Sequence, residues 1–287
     1  MSDKKLEDAV PDAPPHVLRD GNKIPQLGLG TYPMDDAEAE ALIPEALWRG
    51  YRLIDTAVNY GNELGVGRGV KASGINRDDI FLTTKLPGRH HGTDSVRRSL
   101  EGSLERLGTD YVDLYLIHWP NPSVDRYVES WRTMIELRDQ GLIKSIGVSN
   151  FLPEHLLRLE KETDEMPVIN QVELNPQYQQ ELLREFHAEH KIVTEAWSPL
   201  GRKTDILQHE WLSEIARSIG RTPAQVILRW HIQSNILPIP KSSDVTRMAE
   251  NLDVFDWDLS DDQMRRIKML HTGLSGSGFD PLEHEEM

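Results

Sequence analysis

The chain has 287 residues, 38% of them hydrophobic, with a formal net charge of −15 and no cysteine. An acidic chain is a poor general binder of nucleic acid or anionic membrane, and without cysteine there are no disulfides, thiolate metal sites or cysteine nucleophiles. No apolar run approaches the ~20 residues of a membrane helix, and the charged, proline-containing MSDKKLEDAVPDAPP lacks the apolar segment of a secretory signal.

Residues 1–14 read as a flexible lead-in, followed by a single domain over 15–287 whose expected compartment is the cytoplasm. Extended runs in HVLRDGNKIP (16–25) flank Asp20-Gly21-Asn22, a β-hairpin turn signature. QLGLGTY (26–32) reads as a Gly-spaced strand, 35–50 as a helix stopped by Gly50, and YRLIDTA (51–57) as a strand. Helical stretches at 63–74 (despite its glycines), 94–108, 124–141, 153–163 and 178–190 alternate with strand-length runs at 79–86, 111–120, 143–151, 167–174 and 191–201. Two helices at 208–220 and 222–234, a strand at 235–242 and helices at 243–252 and 260–270 complete the pattern. The acidic DPLEHEEM that follows is expected on the surface.

About eight strand–helix units thus follow the hairpin without a linker. This alternation predicts parallel strands with right-handed crossovers. At this length it predicts an α/β fold: a (β/α)8 TIM barrel with an N-terminal β-hairpin and extra C-terminal helices. The rival is a doubly wound open sheet, which carries a dinucleotide fingerprint after its first strand. QLGLGTY lacks the third glycine of that fingerprint, and GVGRGV (65–70) lies inside a helical stretch.

A barrel of this kind presents its chemistry at the C-terminal ends of its strands. Polar residues stand there in order: Thr31 and Tyr32, Asp55 with Tyr60 in its loop, Lys85, His118 with Trp119, Ser149 and Asn150, Asn170, Gln171 and Glu173, Trp197 and Ser198, then Lys241 and Ser242. Singly, each has a plain reading. Lys85 can surface at a strand end, His118 can be a satisfied core histidine, Asp55 can cap a helix, and the amides and serines can cap turns. Together they bring an acid, a phenol, an amine and an imidazole to one mouth.

A buried Lys85 needs an anion, which Asp55 can supply. A charged Lys85 beside Tyr60 is expected to lower the phenol pKa from about 10 and make it a proton donor or acceptor near neutral pH. His118 can hold a carbonyl. This set suits reduction of C=O, but it holds no hydride, so a cofactor must bring one. PKSSDVTRMAEN puts Lys241 and Ser242 at the start of a helix with Arg247 beyond, a pattern suited to phosphate. Glu250 and Asn251 can be plain helix surface or can hydrogen-bond a purine amine.

The motifs GLGTY, LIDTAVNYGNE, TTKL, DLYLIHWP, IGVSNF, INQVELNP, AWSPLG and IPKS with AEN occur in one order from Val17 to about residue 270. In this the chain resembles the aldo-keto reductases, and within them the bacterial 2,5-diketo-gluconate reductase and prostaglandin-F-synthase-like branch. The resemblance implies a catalytic tetrad of Asp55, Tyr60, Lys85 and His118, with Tyr60 as the general acid. It implies extended NADPH without a Rossmann fold. Ser149, Asn150 and Gln171 would hold the carboxamide, Trp197 would stack on the nicotinamide, and Ser198, Leu200 and Arg202 would face the pyrophosphate. Lys241, Ser242 and Arg247 would hold the 2′-phosphate, Glu250 and Asn251 the adenine, and Thr31 lies on the cofactor side.

Tyr32 and Trp119 correspond to aromatic substrate-wall positions. After Leu86 stands Pro87 where mammalian relatives place a tryptophan, and the short tail after residue 270 is expected to leave the pocket open on one side. Arg89, His90 and His91 could attract anions or form a solvated loop, the latter being the plainer reading.

The expected partner is a small carbonyl substrate, with no nucleic acid, membrane or metal, and the chain is expected to be a monomer. Two other functions fit parts of the pattern: a barrel aldolase with Lys85 as Schiff-base residue, and an NADPH-binding sensor or subunit with little turnover. A zinc enzyme fits poorly, since the histidines lack HxxEH or HxH pairing.

Overall fold

The computed structural model describes residues 15–202 and 204–286; the expected flexible lead-in at 1–14 lies outside the described residues. A two-stranded antiparallel hairpin comes first, β1 (His16–Val17) and β2 (Lys23–Ile24). Asp20 fixes its turn by accepting from the Asn22 backbone at 3.0 Å, and Gly21 supplies the positive φ of 90°. Leu18 and Ile24 are buried against Leu53, Phe81, Leu114, Val168 and Leu237 near the starts of the barrel strands. The hairpin is therefore the floor of the barrel.

Eight parallel strands follow in sequential order: β3 (Leu29–Gly30), β4 (Leu53–Asp55), β5 (Phe81–Leu86), β6 (Val112–Ile117), β7 (Ile143–Ser149), β8 (Ile169–Glu173), β9 (Val193–Trp197) and β10 (Ile236–Pro238). The last meets the first through Gly28 N–H to Pro238 O at 3.1 Å and Gly30 N–H to Pro240 O at 3.2 Å. That closes the sheet into the expected barrel. Gly30 permits the join, because a Cβ there would stand 2.9 Å from the Ile239 carbonyl oxygen.

Helices alternate with the strands: α1 (Asp36–Trp48), α2 (Glu63–Ser73), α3 (Thr93–Leu107), α4 (Tyr127–Asp139), α5 (Pro153–Thr163), α6 (Glu181–Glu189), α7 (Glu210–Ile219), α8 (Pro223–Gln233), α9 (Val245–Leu252) and α10 (Asp261–Lys268). The glycines inside α2 serve packing. A Cβ on Gly65 would lie 2.1 Å from the Asp36 carbonyl oxygen of α1, and one on Gly67 would lie 2.5 Å from Leu107 O of α3. Ser260 and Gln263 form a capping box that starts α10, as Thr222 and Gln225 do for α8. None of the helices in the described residues is long and apolar enough to cross a membrane.

Strand alternation sorts the core. In β6, Leu114 and Leu116 belong to the barrel interior while Tyr115 and Ile117 pack outward under the helices. The same period two makes several inward columns apolar at the floor and polar at the top. Leu53 leads to Asp55, Phe81 to Thr83 and Lys85, Ile169 to Gln171 and Glu173, and Val193 to Glu195 and Trp197. The polar tops of these columns become the site.

Candidate active site

Asp55 ends β4 and Lys85 lies near the end of β5, so both reach the barrel axis side by side. Lys85 is completely buried, and its Nζ donates to Asp55 Oδ1 at 2.6 Å, Thr56 O at 3.0 Å and Tyr60 Oη at 3.2 Å. These three acceptors use all three ammonium hydrogens. Burial opposes the charge, but attraction to Asp55 and Tyr60 outweighs it and holds the lysine pKa above its ordinary range. The other Asp55 oxygen accepts from Gln171 Nε2 at 2.9 Å.

Tyr60 closes a one-turn 3₁₀ helix, Val58–Tyr60, ended by Gly61 at a φ of 68°. Asn62 pins this loop: it accepts from Thr56 Oγ1 at 2.7 Å and donates to Met34 O at 3.0 Å. The expected lowering of the phenol pKa does not occur. Burial pushes Tyr60 up to about 12, the charge of Asp55 adds to that, and Lys85 opposes it without prevailing. The phenol therefore keeps its proton at neutral pH. Desolvation of the enclosed hydroxyl outweighs the lysine charge.

His118 follows β6, its backbone N–H held by Leu86 O at 3.0 Å and its ring edge-on to Tyr60 at 5.8 Å. These groups border a cavity of about 520 Å³. Tyr32, Asp55, Tyr60, His118 and Trp119 line it together with Asn150, Gln171, Trp197, Ser198, Leu200, Arg202 and Lys241. Thr31 stands behind the wall, its hydroxyl donating to Asp55 O at 3.0 Å, and Ser149 donates to Gln171 O at 2.8 Å.

Asn150 is held in the left-handed region at a φ of 61°. Its amide donates to His118 O at 3.1 Å and accepts from Trp197 Nε1 at 2.9 Å, which fixes the indole at the wall. Arg202 lies over the Tyr32 ring at 4.8 Å.

Ser242, Arg247, Glu250 and Asn251 are not part of this cavity wall. Lys241 pairs with Glu38 of α1 at 3.3 Å, a contact the sequence did not suggest. The start of α9 also differs from expectation. Asp244 caps it, accepting from Thr246 N–H at 2.8 Å and Arg247 N–H at 3.1 Å, so two N–H groups of the first turn are already engaged. Arg247, 3.8 Å from Asp244, keeps a side chain 68% exposed, whereas Lys241 is 28% exposed beside Glu38.

The tail corrects one expectation, since it does not lie wholly on the surface: Phe279, His284 and Glu286 line part of the cavity. Glu173 anchors the tail, accepting from Gly276 N–H at 3.0 Å and from the hydroxyls of Ser275 and Ser277, both at 2.6 Å. Phe279 and His284 pack on Trp119 at 5.8 and 4.2 Å. Glu286 then turns inward. Asn59 donates to its carboxylate at 2.7 Å, and His118 Nδ1 approaches the same oxygen to 2.7 Å. Burial would raise the Glu286 pKa, but these partners outweigh it and hold the pKa below the usual value.

The Arg89-His90-His91 loop is not solvated as a unit. Arg89 donates to Asn59, His90 meets Ser99 Oγ at 2.9 Å, and His91 is buried, its pKa lowered to about 4 mainly by burial.

The sequence profile of the Aldo/keto reductase family matches residues 26–271. The chain is 50% identical to 2,5-diketo-D-gluconic acid reductase B of Corynebacterium sp. (strain SHS752001), over 97% of this chain and 100% of that protein. It is 48% identical to the methylglyoxal reductase DkgA of Escherichia coli K12, over 89% and 93%. Among solved structures, an aldo/keto reductase from Brucella melitensis is 51% identical with a TM-score of 0.87, covering 90% of this chain and 99% of that one. An NADPH complex of a Gox0644 mutant is 44% identical with a TM-score of 0.91, covering 96% and 100%. Pattern, relatives and barrel agree: the chain belongs to the aldo/keto reductase family.

Proposed function

We propose that this protein reduces aldehydes and ketones to alcohols with NADPH, Tyr60 giving the proton. The observation that carries the reading is the buried Lys85, 3.2 Å from the Tyr60 hydroxyl and ion-paired to Asp55 at 2.6 Å. A phenol with a high pKa holds its proton until an alkoxide develops, and the adjacent ammonium stabilises the phenolate left behind. His118 donates a hydrogen bond to the substrate carbonyl and so orients it between the imidazole and the phenol. Tyr32 and Trp119 form the apolar walls of the substrate pocket.

The residues present fit a nicotinamide cofactor. No hydrogen bond among the described residues engages Gln171 Oε1, which leaves an acceptor for a carboxamide. The fixed Trp197 ring offers a flat stacking surface, with Ser149 and Asn150 beside it. Ser198, Leu200 and Arg202 suit the pyrophosphate, Lys241, Ser242 and Arg247 the 2′-phosphate, and Glu250 and Asn251 the adenine. Thr31 supports this side through Asp55. The cofactor, when bound, supplies the hydride. The NADPH complex of the Gox0644 mutant supports this reading, and the names of the relatives point to small carbonyls such as methylglyoxal and oxidised sugar acids.

A Schiff-base aldolase is disfavoured, because all three Lys85 hydrogens are engaged and its pKa is raised. The test is loss of reduced-nicotinamide absorbance when protein, NADPH and a panel including methylglyoxal are mixed. No consumption with any small aldehyde refutes the proposal.

A further inference from the structure

Glu195 lies in the middle of β9, two residues below Trp197, and is completely buried. It does not line the cavity; Gln171 stands between it and the mouth. Gln171 Nε2 donates to Asp55 Oδ2 at 2.9 Å and to Glu195 Oε2 at 2.8 Å. An amide offers two hydrogens on nitrogen and only lone pairs on oxygen. Asp55, paired to Lys85, can only accept, so the nitrogen points inward and the Gln171 carbonyl oxygen points to the cavity; the carbonyl oxygen of the Glu195 carboxyl accepts the second hydrogen. Asp55 alone would take one hydrogen. Glu195 takes the second, which would otherwise be buried without an acceptor.

We infer that Glu195 is a positioning residue for the reductase reaction: it locks the Gln171 amide so that a carbonyl oxygen, and not an N–H, faces the carboxamide of a nicotinamide. The inference rests on the reductase reading and adds a residue that touches neither substrate nor cofactor. In the barrel interior Glu195 faces Asp55, Gln171 and Lys85. Lys85 has no hydrogen left to give it, so no cation neutralises Glu195 directly.

Burial, and then the charge of Asp55, push its carboxyl from 4.5 up to about 8, against the opposing pull of Gln171 and Lys85. The folded state therefore keeps a proton that the unfolded chain releases. The contribution of Glu195 to stability therefore falls as pH rises from 4.5 to about 8, and below about 6.5 it runs against the larger, opposite contribution of the buried histidines. Above about 8, a second anion sits behind Gln171 and beside Asp55.

The experiment compares wild type, Glu195→Leu and Glu195→Gln by NADPH titration (quenching of tryptophan fluorescence) and by urea unfolding of the cofactor-free protein between pH 6.5 and 8.5. Glu195→Leu strands one Gln171 hydrogen and is expected to weaken NADPH binding about tenfold, the effect of one buried hydrogen bond. Glu195→Gln keeps an acceptor and is expected to bind within about twofold of wild type, while losing the fall in stability between pH 6.5 and 8. Glu195→Leu binding NADPH like wild type would overturn the assignment. If Glu195→Leu does not fold, the near-isosteric Glu195→Met is titrated instead: NADPH binding within about twofold of wild type overturns the assignment, and binding about tenfold weaker supports it. Wild-type protein that fails to bind NADPH would overturn the reductase reading, and this inference with it.

Discussion

Replacing Lys85 with methionine tests the centre of the site without introducing a polar group. The lysine is fully buried, and its loss leaves Asp55, 1% exposed, as an anion without its cation. Breaking a buried pair from one side costs about 3–5 kcal/mol. Asp55 keeps its hydrogen bond from Gln171 at 2.9 Å, which places the expected loss near the lower end, about 3 kcal/mol. For a chain of this size that corresponds to a fall of roughly 6–12 °C in melting temperature.

The companion variants are Asp55→Asn and the double variant. With both charges gone the desolvation cost goes too, so the double variant is expected to be more stable than the sum of the single losses predicts, by more than about 1 kcal/mol. Urea unfolding of the four proteins at pH 7 measures this. A Lys85→Met loss below about 1 kcal/mol, or strict additivity in the cycle, would refute the buried-pair reasoning.

Tyr60→Phe removes the proton donor and little else, since the Tyr60 hydroxyl contacts Lys85 at 3.2 Å; turnover is expected to fall by about two to four orders of magnitude with NADPH affinity unchanged, measured by steady-state kinetics and fluorescence titration. Glu286→Gln removes the charge that meets His118 at 2.7 Å, and the carbonyl KM is expected to fall by up to about tenfold, while an unchanged KM means that the carbonyl does not compete with Glu286. On the acid side, His91 and His231 are lowered to about 4 and His187 to about 3, all chiefly by burial. The unfolded chain binds their protons below about 6.5 and the folded one does not, so stability is expected to drop as pH falls from 6.5 toward 4. Urea midpoints at pH 7, 5.5 and 4.5 check this.

Much of the site was legible because the barrel places its chemistry at strand ends, and a strand end is visible in sequence. Asp55, Lys85 and His118 each close an apolar run, and Tyr60 follows at loop distance. Glu195 was missed because it stands in mid-strand, where no terminus draws attention. The alternation Val193, Glu195, Trp197 was the available signal, since it puts the acid on the inward face. The tail could not be read. TGLSGSGFDPLEHEEM has no hydrophobic period, and its path is set by Glu173 and Trp119, about a hundred or more residues away in the chain. The sign of the Tyr60 shift depends on how deeply the hydroxyl is enclosed, which only the folded packing determines.

The seam between β3 and β10 also has a meaning in time. Gly28 and Gly30 wait for Pro238 and Pro240, some 210 residues later in the chain. During synthesis the growing sheet has two open edges until that last strand leaves the ribosome, and open edges invite pairing with other chains. The two prolines offer carbonyls to the first strand but no N–H, so the last strand to arrive is a poor template for a stray neighbour. The step that completes the barrel is thus also one that guards a nascent edge from its own copies.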